Sequence, residues 1–358
     1  AMKILLPLFL FTIVSCTVKA QYPAVTIPGS EVRKITSSIV NEQEYELQIL
    51  LPGGYKESNK KYPVVFLMDA QWDFPLVKSI YGQQYYDGFI PELIIVGITW
   101  GGTHPNADSL RARDYTPTQE KRLLQSGGAD KFLDFMKQEL FPFLDVNYRV
   151  DNNQRILMGC SLGGLLTLYS MFTHTDMFTG YVAASPAVAW NDEVLYKYEK
   201  EFGGKKLTNP VRLYLTVGDV ERGNNIFTKM SGYIQSRQYN NVSIRSKVLE
   251  NTGHSGTKSE TYNRGLQFMF EKPDLPLPGS LRQLYTGRYA DSNGITLEIK
   301  YEKSQLVVFS SPSEEEPMKY AGNHLFYSNA AFLNLVFSPD GRTFQLNQFG
   351  GSSTFTKK

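Results

Sequence analysis

Residues 154–172 read QRILMGCSLGGLLTLYSMF. The apolar residues at the start of this stretch predict a buried strand that ends at Gly159, and the small and apolar residues at its end predict a helix over 162–172. Between them, Gly-Cys-Ser-Leu-Gly at 159–163 is a G-x-S-x-G sequence, which places a serine on a sharp strand-to-helix turn. The helix would begin directly beneath Ser161, where its amides and dipole favour an oxyanion. This context indicates a nucleophilic serine.

Strand-like and helix-like segments alternate on both sides of this turn as far as residue 270. Short apolar runs, and alternation over residues 44–51, predict strands, and residues 129–144 show the apolar spacing of a helix that stops near Pro142. This alternation predicts an α/β fold with a mostly parallel sheet covered on both faces. Active sites of such sheets form at the carboxyl ends of the strands. The runs that predict strands lie at 44–51, 64–68, 93–99, 156–158, 180–184, 211–217 and 244–249.

The character of the chain changes after residue 270. Residues 272–279, KPDLPLPG, predict a semi-rigid linker that cannot continue a helix. Beyond it, short alternating stretches separated by turn sequences predict a small antiparallel β domain, either a barrel or a sandwich. It contains no cluster of nucleophile, base and acid, so a structural or carbohydrate-contacting role is preferred. The predicted domains are an export signal (1–20), an α/β domain (21–271), the linker (272–279) and a β-rich domain (280–358).

The amino terminus has the pattern of an export signal. One lysine precedes an apolar core that is too short to span a bilayer, and small residues follow. Two processing routes are open: cleavage after Val18-Lys-Ala20, or a lipobox whose Cys16 would carry a lipid anchor. The protein is therefore expected to be exported, as a periplasmic protein, an outer-membrane lipoprotein or a secreted protein.

Composition excludes several other classes of protein. The formal net charge is +2, and removal of Lys3 and Lys19 with the signal would bring it to zero. No basic run interleaved with aromatics supports a nucleic-acid partner. Cys160 would be the one cysteine of the mature chain unless Cys16 is retained, so a disulfide framework is not expected. No metal-binding motif occurs among the four scattered histidines. No metal and no cofactor are therefore predicted.

A serine nucleophile needs a base, and the base needs an acid that orients it. In α/β-hydrolases these partners follow in the order serine, acid, histidine. His254 follows the predicted strand at 244–249 and is the candidate base. The acid should follow the strand at 211–217, where both Asp219 and Glu221 occur. Glu221 is favoured because its spacing places a carboxylate beyond the turn, whereas Asp219 could cap or brace that turn.

An oxyanion hole requires two backbone N–H groups. One belongs to the residue after the nucleophile, Leu162, and the other to the loop after an early strand, here at 69–71. Trp72 and the aromatic residues that follow it could line a substrate pocket, although such residues are more often core.

Several short segments together resemble the Putative esterase family of α/β-hydrolases, which includes siderophore esterases, carbohydrate esterases of the acetyl-xylan and feruloyl type, and esterase D. The resemblance spans about residues 44–270. It implies an α/β-hydrolase fold with the β domain appended, and it assigns the second oxyanion amide to Gln71. The segments are YPVVFLMD at 62–69, RDYTPT at 113–118, GCSLGG at 159–164, ASPA at 184–187 with Trp190, GDVE at 218–221 and GHS at 253–255.

The segment at 113–118 is most similar to the siderophore-esterase branch, in which a nearby arginine can meet an acidic substrate. Arg111 and Arg113 are the candidates, with Trp72 and Trp190 as further substrate-binding residues. The resemblance implies a serine esterase that acts through an acyl-enzyme on a bulky ester, either a siderophore lactone or a feruloyl or acetyl polysaccharide ester. The amino-terminal pattern adds the expectation that this esterase is exported. An acyltransferase and a non-catalytic binding protein on the same fold are the alternatives. Cys160 departs from the family pattern, and the β domain is absent from its minimal members.

Overall fold

The computed structural model describes residues 26–358, so the predicted export signal and both of its processing sites lie outside the described residues. The first part of the chain forms one eight-stranded sheet. Its strands are β1 (Ser30–Ser37), β2 (Gln43–Leu50), β3 (Tyr62–Leu67), β4 (Ile94–Trp100), β5 (Val150–Cys160), β6 (Gly180–Ala184), β7 (Val211–Gly218) and β8 (Val242–Leu249).

The order of strands across the sheet is β1-β2-β4-β3-β5-β6-β7-β8. In this order, the six strands β4, β3, β5, β6, β7 and β8 are mutually parallel, and β2 runs antiparallel to both of its neighbours. Strands β3, β4 and β6 are buried at every residue, as expected where helices cover both faces of a sheet. The predicted α/β-hydrolase fold with a mostly parallel sheet is confirmed.

Helices cover the two faces of this sheet. Helices α1 and α9 pack on one face through residues such as Phe74 and Leu266, and α5, with the helices around it, packs on the other face. The helices are α1 (Ala70–Tyr86), α2 (Ala107–Tyr115), α3 (Ala129–Phe135), α4 (Phe141–Asn147), α5 (Leu162–Thr173), α6 (Trp190–Glu193), α7 (Leu195–Phe202), α8 (Asn224–Ser236) and α9 (Thr257–Met269).

The helix predicted to stop near Pro142 instead continues to Asn147. A π turn at Met136–Leu140 joins α3 to α4, and Pro142 falls in the first turn of α4. A proline is tolerated there because the N–H that it lacks has no required partner in a first helical turn. The expectation of a helix end at this proline was therefore wrong.

The C-terminal part of the chain is a closed antiparallel barrel with its own core, which decides between the barrel and the sandwich. Helix α10 (Gly279–Tyr285) precedes it, and pairing of its last strand with its first closes the ring. Its strands are β9 (Gly287–Ala290), β10 (Thr296–Glu302), β11 (Gln305–Ser311), β12 (Glu314–Gly322), β13 (Leu325–Ser328), β14 (Leu333–Phe337), β15 (Thr343–Gln348) and β16 (Gly351–Lys357).

The barrel packs against the amino-terminal edge of the large sheet. Lys272 Nζ donates to the carbonyl of Gly88, which follows α1, and Asn334 Nδ2 of β14 donates to the same oxygen, at 2.8 and 3.3 Å. A cleft beside this contact is lined by Gly180, at the start of β6, and by Leu325 of the barrel. The carboxyl edge, where the candidate site residues lie, is therefore on the opposite side from the barrel.

Within residues 26–358, no helix combines the length and the apolar character needed to cross a membrane.

Candidate active site

Ser161 occupies a strained turn between β5 and α5. Its φ and ψ angles are 59° and −115°, a conformation that residues other than glycine rarely adopt. The turn is held by a hydrogen bond from Ser161 N–H to Ala184 O and another from Ala187 N–H to Ser161 O, both 3.0 Å. A Cβ at Gly159 would lie 2.6 Å from the carbonyl carbon of Gly163, so the turn requires glycine there. This geometry presents Ser161 at the carboxyl edge of the sheet.

His254 and Glu221 meet at the same edge. His254 Nδ1 lies 2.6 Å from Glu221 Oε2, while Glu221 Oε1 accepts from Ser185 Oγ at 2.5 Å and from Gly218 N–H at 2.8 Å. Burial raises the pKa of Glu221, but these hydrogen bonds outweigh it and leave that pKa below its ordinary value. The carboxylate therefore stays ionised at neutral pH. It can hold a proton on Nδ1 and leave Nε2 of His254 as the basic nitrogen.

Asp219, the alternative acid, has a different partner. Its exposed carboxylate accepts from the backbone N–H of Thr252 at 3.2 Å. It thereby ties the end of β7 to the loop that carries His254. Its contact is with the loop backbone, and Glu221 is the carboxylate that contacts the imidazole.

Ser185 is a site residue to which the sequence assigned no role. It is 3% exposed, has a φ of 40°, and directly follows β6. Its hydroxyl bonds Glu221 and lies 2.8 Å from Thr257 Oγ1, which in turn donates to the carbonyl of His254 at 2.8 Å. Its place after β6, between the nucleophile strand and the acid strand, was the signal that could have identified it.

Ser161 and His254 are brought to one edge but are not joined directly. Among the described residues, no hydrogen bond links Ser161 Oγ to the His254 ring, whose side chain is 50% exposed. The segment after β6 connects the two, because Ala187 bonds the Ser161 backbone and Ser185 bonds Glu221. Catalytic hydrogen bonds of this kind are often loose without substrate and tighten when it binds.

The two predicted oxyanion donors both begin helices. Leu162 is the first residue of α5, and Gln71 is the second residue of α1, after Asp69 with a φ of 56°. Within the described part of the chain, neither backbone N–H has an acceptor, as is usual in a first helical turn. The side-chain amide of Gln71 is also buried without a partner there. Both N–H groups are thus available to an oxyanion.

Arg111 shapes the turn that carries Gln71. Its guanidinium forms two hydrogen bonds to the buried carboxylate of Asp69, at 3.1 and 2.8 Å, and it lies 5.7 Å from the ring of Trp72. Tyr115 hydroxyl accepts from the N–H of Asp69 at 3.3 Å. Most of the charge of Arg111 is therefore neutralised inside the protein, and the arginine positions the start of α1.

Arg113 makes more internal hydrogen bonds than Arg111 does. Each of its three guanidinium nitrogens already donates within the protein: to Asp114 at 2.6 and 3.0 Å, to Gln43 at 3.2 Å and to Tyr45 at 3.4 Å. Its carboxylate partner is 1% exposed, so the ion pair is internal. We therefore revise the prediction that Arg113 binds substrate. By contrast, Nη1 of Arg111 has no partner among residues 26–358.

The two tryptophans differ in their surroundings. Trp72 is 51% exposed beside Gln71, and it is available to a ligand. Trp190 is half-buried and donates through Nε1 to the carbonyl of Thr118 at 3.2 Å, which holds the segment after α2. Trp72 is consequently the stronger candidate for contact with substrate.

A buried ion pair joins α1, which begins at the Gln71 turn, to α9, which follows the loop that carries His254. Asp73 of α1, 2% exposed, accepts from Lys258 Nζ at 2.6 Å and from Tyr262 hydroxyl at 2.8 Å, both on α9. Asp73 and Lys258 are 185 positions apart, so no local sequence pattern predicts that they pair.

Cys160, which precedes the nucleophile, is buried and reduced. Burial raises the pKa of its thiol to about 12. The thiol therefore stays protonated at neutral pH and is not a competing nucleophile.

Comparison with known proteins identifies the family of the chain. The family model described as Putative esterase matches residues 37–254, more than half of the chain, and the match ends before the barrel. Ferri-bacillibactin esterase BesA of Bacillus subtilis (strain 168) is 32% identical over 214 residues, which cover 56% of this chain and 73% of that protein. Siderophore triacetylfusarinine C esterase of Aspergillus fumigatus is 36% identical over 93 residues, 26% of this chain and 32% of that protein.

Solved structures resemble the chain over a similar share of its length. The BES protein from Bacillus cereus superposes with a TM-score of 0.63 at 23% identity, covering 70% of this chain and 97% of that one. Siderophore hydrolase EstB from Aspergillus nidulans gives 0.60 at 22% identity, covering 71% and 99%. These likenesses establish the fold. The match to the family model and the likeness to BesA place the chain in the Putative esterase family of α/β-hydrolases, as a serine esterase.

Proposed function

We propose that Ser161, His254 and Glu221 form a catalytic triad that hydrolyses a carboxylic ester through an acyl-enzyme. The observation that carries this proposal is the 2.6 Å contact between His254 Nδ1 and Glu221 Oε2, at the edge where Ser161 is held in its strained turn. A carboxylate on Nδ1 sets the tautomer that makes Nε2 a base.

In the first half-reaction, Ser161 Oγ attacks the carbonyl carbon of the ester while His254 Nε2 takes the hydroxyl proton. The carbonyl oxygen becomes an oxyanion, which the N–H groups of Leu162 and Gln71 stabilise. When the C–O bond to the alcohol breaks, His254 returns its proton to the leaving alkoxide. The acyl group is then bonded to Ser161.

In the second half-reaction, water attacks the acyl carbon and gives a proton to His254. The same two N–H groups hold the second oxyanion. Its collapse releases the carboxylic acid and restores the hydroxyl of Ser161 with the proton from His254.

For substrate, we propose a siderophore ester. Both relatives described above carry the name of a siderophore esterase, and the exposed ring of Trp72 lies next to the Gln71 turn, where an aromatic acyl group could stack. Since Asp69 neutralises most of the charge of Arg111, aromatic contact rather than a free cation would provide recognition. A feruloyl or acetyl polysaccharide ester is the competing substrate.

The mechanism is tested by labelling and by turnover. A radiolabelled organophosphate should modify the wild type at Ser161 and leave Ser161→Ala unmodified. Turnover of a generic aryl ester by this variant should fall by several powers of ten, because a triad fails when its nucleophile is removed. Near-wild-type turnover by a pure, folded preparation of the variant would contradict the proposed mechanism.

The substrate class is tested by comparing kcat/KM for a catecholate trilactone with that for feruloyl and acetyl sugar esters. Trp72→Ala should lower kcat/KM for the trilactone by about tenfold, the equivalent of one good aromatic contact. Tyr86→Ala, which removes an exposed aromatic at the other end of the same helix, is the matched control. A higher kcat/KM for the sugar esters would transfer the assignment to polysaccharide esters.

We also propose that the chain is exported, on the basis of the apolar segment at its amino terminus. The mass of the mature protein distinguishes cleavage before Gln21 from lipidation at Cys16. Recovery of the unprocessed chain from the cytoplasm would contradict export.

A further inference from the structure

A cavity of about 430 Å³ lies between the hydrolase fold and the barrel, on the side of the molecule away from Ser161. The hydrolase fold contributes Tyr85, near the end of α1, and Phe89 in the segment that follows. The barrel contributes β14, β15 and the turn at Phe349. The volume is that of pockets that hold small ligands.

The barrel side of this cavity is a patch of amide side chains. Asn334 of β14 pairs across the strands with Asn347 of β15, and Val336 pairs with Gln345. Because the residues between them, such as Leu335, pack in the barrel core, these side chains share the outer face of the barrel. The patch is thus fixed by strand register and does not depend on a mobile loop.

The amides of this patch retain hydrogen-bonding capacity. Asn334 Oδ1 is buried without a partner, although its Nδ2 donates to Gly88. Within the described residues, the side chains of Gln345 and Asn347 make no hydrogen bond. Buried polar groups are normally satisfied by protein, water or a ligand, so Asn334 Oδ1 is open to an occupant, and the exposed Gln345 and half-buried Asn347 side chains can contact the same occupant.

The cavity has apolar surface but little free charge. Phe349 is 47% exposed in its lining, and the ring of Tyr85 lies across from the barrel. Among the charged lining residues, Lys60 and Glu92 pair with each other, and Lys272 donates to a backbone carbonyl. Among the described residues, Lys272 is therefore the one charge of this lining without an opposite charge beside it, and the rest of the lining offers amides, backbone and aromatic rings.

We propose that this cavity binds a neutral carbohydrate unit, at a site separate from the esterase centre. Each primary amide offers both donors and acceptors, which sugar hydroxyl groups require, and aromatic rings cover the apolar faces of sugar rings. The unit is either a free sugar or one residue of a glycan. Bound to a glycan, the barrel would hold the enzyme in place while the opposite edge of the molecule remains open to the ester substrate.

Calorimetric titration of the mature protein with xylohexaose, cellohexaose and the corresponding monosaccharides tests this proposal. Saturable binding to at least one probe is expected. The double variant Gln345→Ala/Asn347→Ala should weaken it by about tenfold or more, whereas Gln283→Ala, an exposed glutamine on α10, is the matched control and should not. Unchanged turnover of an aryl ester by both variants shows that they are folded.

The probes separate the two sources of the ligand. Binding of a hexaose but not of its monosaccharide identifies a glycan, and equal binding of both identifies a free sugar. Lack of saturable binding to every probe at millimolar concentration overturns the proposal. So does binding that survives in the double variant but is lost in Trp72→Ala, because the ligand would then occupy the esterase centre. Binding of polygalacturonate alone overturns the assignment to a neutral sugar. None of these outcomes depends on the esterase mechanism.

Discussion

At the scale of the residue, the two carboxylates after β7 have separate tasks. Glu221 accepts hydrogen bonds through both oxygens and contacts the imidazole of His254, while Asp219 accepts from the backbone of the histidine loop. The two residues lie only two positions apart, so what separates their tasks is the direction in which each side chain points. We infer that Glu221 sets the tautomer of His254 and that Asp219 stabilises the loop.

Substitution of each carboxylate by its amide separates these tasks. Glu221→Gln should lower kcat by roughly 10²–10⁴-fold, because an amide at this position no longer stabilises the imidazolium that forms during catalysis. Asp219→Asn should lower it by less than about tenfold, since a backbone contact can be kept by the amide oxygen. Steady-state kinetics on one aryl ester checks both. The reverse ranking would assign the orienting role to Asp219.

At the scale of the element, α1 and α9 carry the two halves of the proposed centre. Gln71 lies in the first turn of α1, and His254 lies three residues before α9. The ion pair between Asp73 and Lys258, with Tyr262, joins these helices directly. We infer that this pair fixes the position of the Gln71 turn relative to the loop that carries His254.

Asp73→Asn should therefore reduce both stability and kcat. Removing one partner of a buried ion pair costs up to about 3–5 kcal/mol, and Lys258, 19% exposed, retains enough water to place the cost near the lower end. The control is Glu260→Gln, also on α9, which breaks an exposed pair with Lys247 of β8 and should cost less than about 1 kcal/mol. Urea unfolding measures the free energy of unfolding of both variants, and steady-state kinetics measures their kcat. Equal, small costs would show that the buried pair does not join the helices.

At the scale of the whole molecule, the barrel and the esterase centre occupy opposite edges of the large sheet. Contacts to the barrel come from Gly88 and the segment at Lys272, whereas the candidate site residues follow the carboxyl ends of the strands. The junction also partly buries Lys272, whose amino group has a carbonyl as its hydrogen-bond partner. The barrel is therefore placed to affect stability and the binding of a second ligand rather than ester hydrolysis.

Removal of residues 279–358 should leave the hydrolysis of small aryl esters largely intact. The truncated chain would expose apolar surface at the junction and should unfold at a lower temperature. Thermal unfolding and kcat/KM on an aryl ester measure the two effects, with the truncated Ser161→Ala chain as the inactive control. A truncated chain that is folded but inactive would show that the barrel contributes to the centre.

The buried lysine at the junction predicts a pH dependence of stability. Burial lowers the pKa of Lys272 to about 8, so the unfolded chain binds more protons than the folded one between that pH and the ordinary value of 10.5. Stability should therefore rise with pH in this window, by on the order of 2–3 kcal/mol. Lys272→Met should remove that rise in urea unfolding from pH 7 to 10. Lys319→Met, which changes an exposed lysine of the same junction, should retain it.

The sequence by itself determined the features that depend on local pattern. Continuous apolar runs and helical spacing predicted the parallel strands and their covering helices, because hydrophobic periodicity is a property of neighbouring residues. The G-x-S-x-G turn identified Ser161 for the same reason, since a Cβ at Gly159 would meet Gly163, only four residues away. Sequence order also selected His254 and two candidate acids. The roles of these residues stay predictions until the kinetic tests are made.

Tertiary structure alone decided what depends on direction and on distant partners. It showed that Glu221 rather than Asp219 contacts the imidazole, and that Arg113 is committed to residues of the fold. It also decided that the β domain closes as a barrel at the edge away from Ser161. Hydrogen bonds require particular distances and angles between groups that can lie more than a hundred residues apart. Such pairings arise only when the sheet brings its strand ends together, and no local pattern encodes them.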